Sequence, residues 1–139
     1  MGATFQRIDE NDEISPGPPA VLVCGFATDI EASLKAVLER AGAPEHRVVF
    51  CSREMVKQTL KQALGATEPT QPAPPDTLPR AMVLSGMSGS QLQAFLSEYT
   101  ASKLPRPIFA SVTPINLGFP VGKLLVELLA EQREMAKRR

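Results

Sequence analysis

The stretches AVLVCGFATDIE (20–31) and AMVLSGMSGSQL (81–92) follow one plan. Each starts with strand-forming residues and passes through a glycine, Gly25 or Gly86, to a large apolar residue. A small or hydroxyl residue and a helical pattern follow. Both opening runs are continuously apolar rather than alternating, as expected of strands buried on both faces.

The order of elements around each stretch repeats. After 20–26, residues 28–41 place Ile30, Leu34, Val37, Leu38 and Ala41 on one helical face, with Thr28 and Glu31 as a capping box and Gly42 as a stop. RVVFCS (47–52) reads as a second strand. Residues 53–65 read as a second helix with Met55, Val56, Leu60, Ala63 and Leu64 inward. Segment 66–79 holds five prolines in 14 residues and reads as an extended connector. Then RAMVLSG gives a strand, and 88–103 a helix with a Ser88/Gln91 capping box. PIFASV (107–112) gives a strand and 120–137 a closing helix.

The expected fold class is therefore α/β: a tandem βαβα pseudo-repeat forming one four-stranded, mostly parallel sheet of order 2-1-3-4, flanked by helices. Residues 1–19 are expected to be a flexible tail. Residues 20–137 are expected to form a single domain of two halves, 20–65 and 80–137, joined by the proline-rich linker 66–79. Within the repeat, Leu34 is matched to Leu96, Phe50 to Phe109, Ser52 to Ser111 and Leu60 to Leu125.

With strands 1 and 3 central, Gly25 and Gly86 are expected side by side at their carboxyl ends, a common position for ligands in open α/β sheets. A small anion such as a phosphate-bearing metabolite would then meet Gly25, Thr28, Gly86, Ser88 and Ser90. Neither turn carries the full dinucleotide fingerprint. GFPVGKL (118–124) is one residue short of a phosphate loop, and Leu124 stands where the magnesium-binding hydroxyl would be.

Other chemistry finds little support. The single histidine, His46, falls in the loop GAPEHR and reads as a solvated loop residue, so no Ser–His or Cys–His pair is expected. Cys24 and Cys51 end neighbouring strands and read as buried, reduced core thiols; a redox role would need them close together and accessible. No metal site, cofactor or catalytic residue is expected. The 139 residues carry 15 basic and 15 acidic side chains, so no overall field steers the chain to nucleic acid. The basic end, Arg133, Lys137, Arg138 and Arg139, suits a helix C-terminus. No apolar run has the length of a membrane span. MGATFQ lacks the Ser or Thr at position 6 of a myristoylation signal, and the acidic N-terminus does not resemble a secretion signal. The expected setting is the cytoplasm, or the chloroplast stroma if a transit peptide has been removed.

The loop SVTPINLGFPVGK (111–123) reads as carrying about seven residues more than its counterpart in the first half. Thr113 and Asn116 are expected to shape it, and Leu117 and Phe119 to offer a partner-contact surface.

The second half, about residues 80–133, resembles a small domain family of unknown function found in bacteria and in plant and algal lineages. MVLSGM, LQAFLSEYTASKLPRPIFASVTPIN and LLVELLAEQRE carry the resemblance, with Thr113, Pro114 and Asn116 matching a Thr-Pro-x-Asn element. Phe109 and Phe119 stand where that family often has lysine and tryptophan. The resemblance implies no activity. The expected function is a non-catalytic interaction, assembly or regulatory module with a protein partner; the alternative is a sensor of the anionic ligand described above.

Overall fold

The computed structural model describes residues 13–67 and 71–137. The strands are β1 (Ala20–Cys24), β2 (Arg47–Phe50), β3 (Ala81–Ser85) and β4 (Ile108–Ser111). The helices are α1 (Glu31–Arg40), α2 (Leu60–Leu64), α3 (Gly89–Ser102) and α4 (Val121–Lys137). They build one sheet of order β2-β1-β3-β4. The pairs β1–β2 and β3–β4 are parallel, and the central pair β1–β3 is antiparallel.

Side chains on alternate faces make two cores. Leu22, Cys24, Val49 and Val83 pack under α2 and α4 with Leu60, Leu64 and Leu125. Val21, Val23, Met82 and Leu84 pack under α1 and α3 with Leu34, Val37, Phe95 and Tyr99. The central strands β1 and β3 are buried throughout, as their unbroken apolar character requires.

The halves are related without a gap by an offset of 61 residues. Arg47 N donates to Pro19 O and Ile108 N to Arg80 O; Cys51 N donates to Val23 O and Val112 N to Leu84 O. Leu22 pairs with Val83, and Thr59 bridges Pro120. Each of these last two pairs joins a residue to its own counterpart, so a pseudo-twofold axis passes between them. The reciprocal bonds Leu60 N to Phe119 O (2.8 Å) and Val121 N to Gln58 O (2.9 Å) obey the same symmetry.

This register corrects the matches drawn from the sequence. Leu34 corresponds to Phe95, Phe50 to Ser111, Ser52 to Thr113 and Leu60 to Val121. The loop 111–123 has no insertion: eight positions separate Ser52 from Leu60 and Thr113 from Val121 alike. The halves differ later, because Gly65 ends α2 while α4 continues through the equivalent Val126.

Two local expectations also change. Thr28 forms no capping box; Thr28–Ile30 make a 3-10 turn and α1 begins at Glu31. The expected helix 53–65 is split into a 3-10 turn, Glu54–Lys57, and the short α2. Gln58 and Thr59 are extended between them, since their backbone bonds the other half across the axis. Thr59 then caps α2 in a full box with Gln62. The box at Ser88 and Gln91 is present as expected.

The described part of the expected N-terminal tail is held to the fold. Ile14 bridges Ser88, Ser15 N donates to Met87 O (2.9 Å), and Ser85 Oγ donates to Pro16 O (3.4 Å).

Candidate functional site

The antiparallel central pair decides the fate of the expected ligand crevice. Ala20 lies opposite Ser85 and Cys24 opposite Ala81. Gly25 and Gly86 therefore sit at opposite ends of the sheet, and Gly25 and Thr28 are not brought together with Gly86, Ser88 and Ser90. The pseudo-twofold passes through the sheet between β1 and β3, perpendicular to the strands, and such an axis reverses the strand it acts on. Ser88 is engaged as a helix cap, accepting from Gln91 N at 3.1 Å. Gln91 Nε2 donates in turn to Gly42 O at 2.8 Å, tying α3 to the end of α1.

The glycines serve close approach instead. Gly25 has φ +78° and Gly86 φ +69°. A Cβ on Gly25 would lie 2.6 Å from Pro79 O, and one on Gly86 2.9 Å from Pro18 O. Each glycine lets the exit of one central strand pass beneath the chain entering the other.

The loop after β4 is a shaped element. Thr113 N donates to Asn116 Oδ1 (2.8 Å) and Asn116 N to Thr113 Oγ1 (3.0 Å), while Asn116 Nδ2 donates to Ser111 O (3.2 Å). Thr113 and Asn116 thus set the loop's form, as expected. In the first half the same turn keeps one bond, Met55 N to Ser52 Oγ at 3.2 Å, because Met55 brings no amide. The expected contact residues behave differently. Leu117 packs against the core. Phe119 is half-buried at the seam between the halves, with Lys123 Nζ 4.4 Å from its ring centroid. The outward apolar residue is Ile115, 76 % exposed. The sequence signal for it was its place between Pro114 and Asn116 at the turn's tip.

His46 is no solvated loop residue. It is 7 % exposed. Its Nε2 lies 2.9 Å from Ser85 O, so the proton is assigned to Nε2. Nδ1 is buried without a partner. Burial lowers its pKa against the opposing pull of carbonyls of Ser85 and Gly86. Above about pH 6.5 the ring is neutral in folded and unfolded chains, and the fold has its full stability. Below that, the unfolded chain binds the proton first, so stability falls with pH until the folded histidine titrates too. His46→Gln keeps a donor for Ser85 O but removes the titration. The difference in unfolding free energy between variant and wild type should change between pH 7.5 and 5 in the variant's favour; a constant difference would contradict this account.

Cys24 and Cys51 come next in register after Val23 and Phe50 and share one core face, so they are neighbours as expected. Both are free and buried. Their mutual hydrogen bond, burial and charge repulsion raise the Cys24 thiol well above its ordinary pKa. Enclosure beneath α2 and α4 favours packing over thiol redox chemistry.

An open groove of about 1060 Å³ runs between α1, β2 and the linker. Glu39, Glu45, Val48, Phe50 and Pro72 are among its lining residues. It was not anticipated from the sequence, because it depends on how the linker returns to the sheet. No helix among the described residues is long and apolar enough to cross a membrane.

Residues 80–135 match the sequence profile of a domain of unknown function, DUF3783. The match takes in β3, α3, β4 and α4, which is one half of the pseudo-symmetric sheet. No curated protein and no solved structure is significantly similar to the chain.

Proposed function

We propose that the protein is a non-catalytic interaction module, an accessory or assembly subunit that docks on a protein partner through the loop after β4. The observation that supports this is Ile115, a large apolar side chain 76 % exposed on a turn fixed from both sides by Thr113 and Asn116. A preformed loop loses little conformational freedom on binding, so its apolar tip converts more of its burial into affinity. The Thr-Pro-x-Asn element of the resembled family then has a defined task here, which is to present the residue between its proline and asparagine. A cytoplasmic or stromal setting suits the two free thiols.

Ile115→Asp should weaken capture of the partner from an extract of the producing cells by about tenfold or more, the scale of a central contact residue. The melting temperature should move by no more than about 2 °C, because an exposed side chain is removed. Unchanged capture would rule out this loop as the docking surface. An increase in melting temperature of the wild-type protein with phosphate-bearing metabolites at millimolar concentration would favour the sensor alternative instead.

A further inference from the structure

Ser85 is fully buried and is held from two sides. Its carbonyl oxygen lies 2.9 Å from His46 Nε2, and its Oγ donates to Pro16 O at 3.4 Å. His46 leads into β2 and Ser85 ends β3, while β1 lies between those strands. The ring therefore reaches across the start of β1. On the other side of Ser85 lies the segment 13–18, which feeds β1. A Cβ on Gly17 would collide with Ser85 Oγ, so the segment presses directly on that side chain. Its other ties are few: Ser15 N to Met87 O (2.9 Å), Met87 N to Ser15 Oγ (3.2 Å) and the bridge of Ile14 to Ser88. No residue from 13 to 19 is buried. Little apolar contact holds the segment, which places it in the part of the fold that opens first. The pseudo-twofold supplies no second arrangement of this kind, since Pro107 stands at the place equivalent to His46.

We propose that His46 and Ser85 form a proton-operated latch that holds residues 13–18 against the end of β3. The latch is separate from the docking loop after β4 and uses none of its contacts. In the closed latch the ring is neutral. Its Nε2–H is taken by Ser85 O, and Nδ1 is buried with no partner. Proton uptake puts a second N–H on Nδ1, and nothing at that buried place accepts it. A buried donor without an acceptor is unfavourable, and a charged one more so. The ring is relieved by leaving, which frees Ser85 O and loosens the seat of Pro16 and Gly17. Among the groups around the ring, Glu45 on the same loop favours the charged form, but burial outweighs it and lowers the pKa of His46. The Arg47 guanidinium is turned to Leu64 O and Ala66 O. The start of β1, the end of β3 and the first turn of α3 carry no charged residue, and Glu13, at the far end of the segment, is exposed. Above about pH 6.5 the latch is closed. Below that, the open form takes the proton first and gains population until the closed ring titrates too.

The test is amide hydrogen exchange of the full chain, followed residue by residue at pH 7.5 and pH 5 and corrected for intrinsic exchange. Ser15 and Met87 should lose between about threefold and thirtyfold in protection at pH 5, the upper figure being set by about 1.5 pH units below the ordinary histidine pKa. Leu22 and Val83, paired at the centre of the sheet, should stay better protected than both at each pH. His46→Gln should abolish the pH dependence at Ser15 and Met87. If that variant does not fold, Gly17→Ala carries the test from the other side. Its methyl group lifts the segment off Ser85, so by reciprocity the His46 ring, followed by its own proton resonances, should titrate closer to about pH 6.5 than in the wild type. Three results would each overturn the proposal. The first is a change of less than about threefold at Ser15 and Met87. The second is protection there equal to that of Leu22 and Val83 at both pH values, which would mean opening by global unfolding alone. The third is the same His46 titration in Gly17→Ala as in the wild type. Ile115→Asp should leave exchange at Ser15 and Met87 unchanged, so failure of the latch and failure of the docking loop are separately readable.

Discussion

Gly25→Ala is expected to destabilise the protein by about 3 kcal/mol or more, lowering the melting temperature by roughly 10 °C. The new methyl group would lie 2.6 Å from Pro79 O and 2.7 Å from Leu78 O. Those are backbone atoms of the segment that feeds β3, so relief would require the two central strands to separate. The positive φ of +78° adds the strain of an L-residue in the left-handed region. Gly42→Ala is the control. Gly42 has nearly the same φ, +80°, but nothing lies within 4 Å of a Cβ there. Its counterpart Lys103 holds a side chain at φ 63°. Gly42→Ala should cost only about 1 kcal/mol. Thermal unfolding of both variants measures the difference. Equal losses would mean that conformation alone matters at Gly25, and that the crossing of strand exit over strand entry does not constrain the fold.

The same crossing explains what could be read from the sequence and what could not. The order of elements was legible because unbroken apolar runs and helical spacing are local properties. The strand order 2-1-3-4 followed from the repeat. The direction of β1 against β3 was not local. It is fixed by the pseudo-twofold, and overlooking that placed Gly25 beside Gly86. The register of the repeat was hidden by low identity. Under the 61-residue offset only Pro18/Pro79, Ala20/Ala81, Gly25/Gly86, Pro44/Pro105, Leu64/Leu125 and Gln71/Gln132 agree, so chance similarities such as Phe50 with Phe109 prevailed. His46 misled for a related reason. Its loop is polar, but it reaches Ser85, 39 positions away, a contact that no local pattern encodes. The turn-forming role of Thr113 and Asn116 was readable because side-chain caps act within three residues. The burial of Leu117 was not, since it depends on the core cluster formed with α2 and α4.

A fragment of residues 76–139 is expected to sediment as a dimer, with no folded monomer at any concentration. Alone, this half would expose the edge of β3 that now pairs with β1 and the apolar surface that α1 and α2 share with it, beside Ala81, Met82, Val83 and Leu84, which are now at most 1 % exposed. A chain of that size has little other core to offset the loss. The pseudo-twofold supplies a partner. Because Leu22 and Val83 are counterparts paired on the axis, a second fragment can place its own Val83 where Leu22 lies and pair β3 with β3 antiparallel. The bonds of Leu60 N and Val121 N across the axis would be remade by two copies of Val121 and Phe119. The substitution is imperfect: Phe95 would occupy the place of Leu34, and Glu98 would lose Arg40, its partner at 2.9 Å. The dimer should therefore dissociate and unfold together on dilution, with a melting temperature that depends on concentration. A folded monomer would show that the half is a domain in its own right. An unfolded monomer at high concentration would show that the halves have diverged beyond self-recognition. Either result would break the link between the internal symmetry and the match of the DUF3783 profile to one half of the sheet.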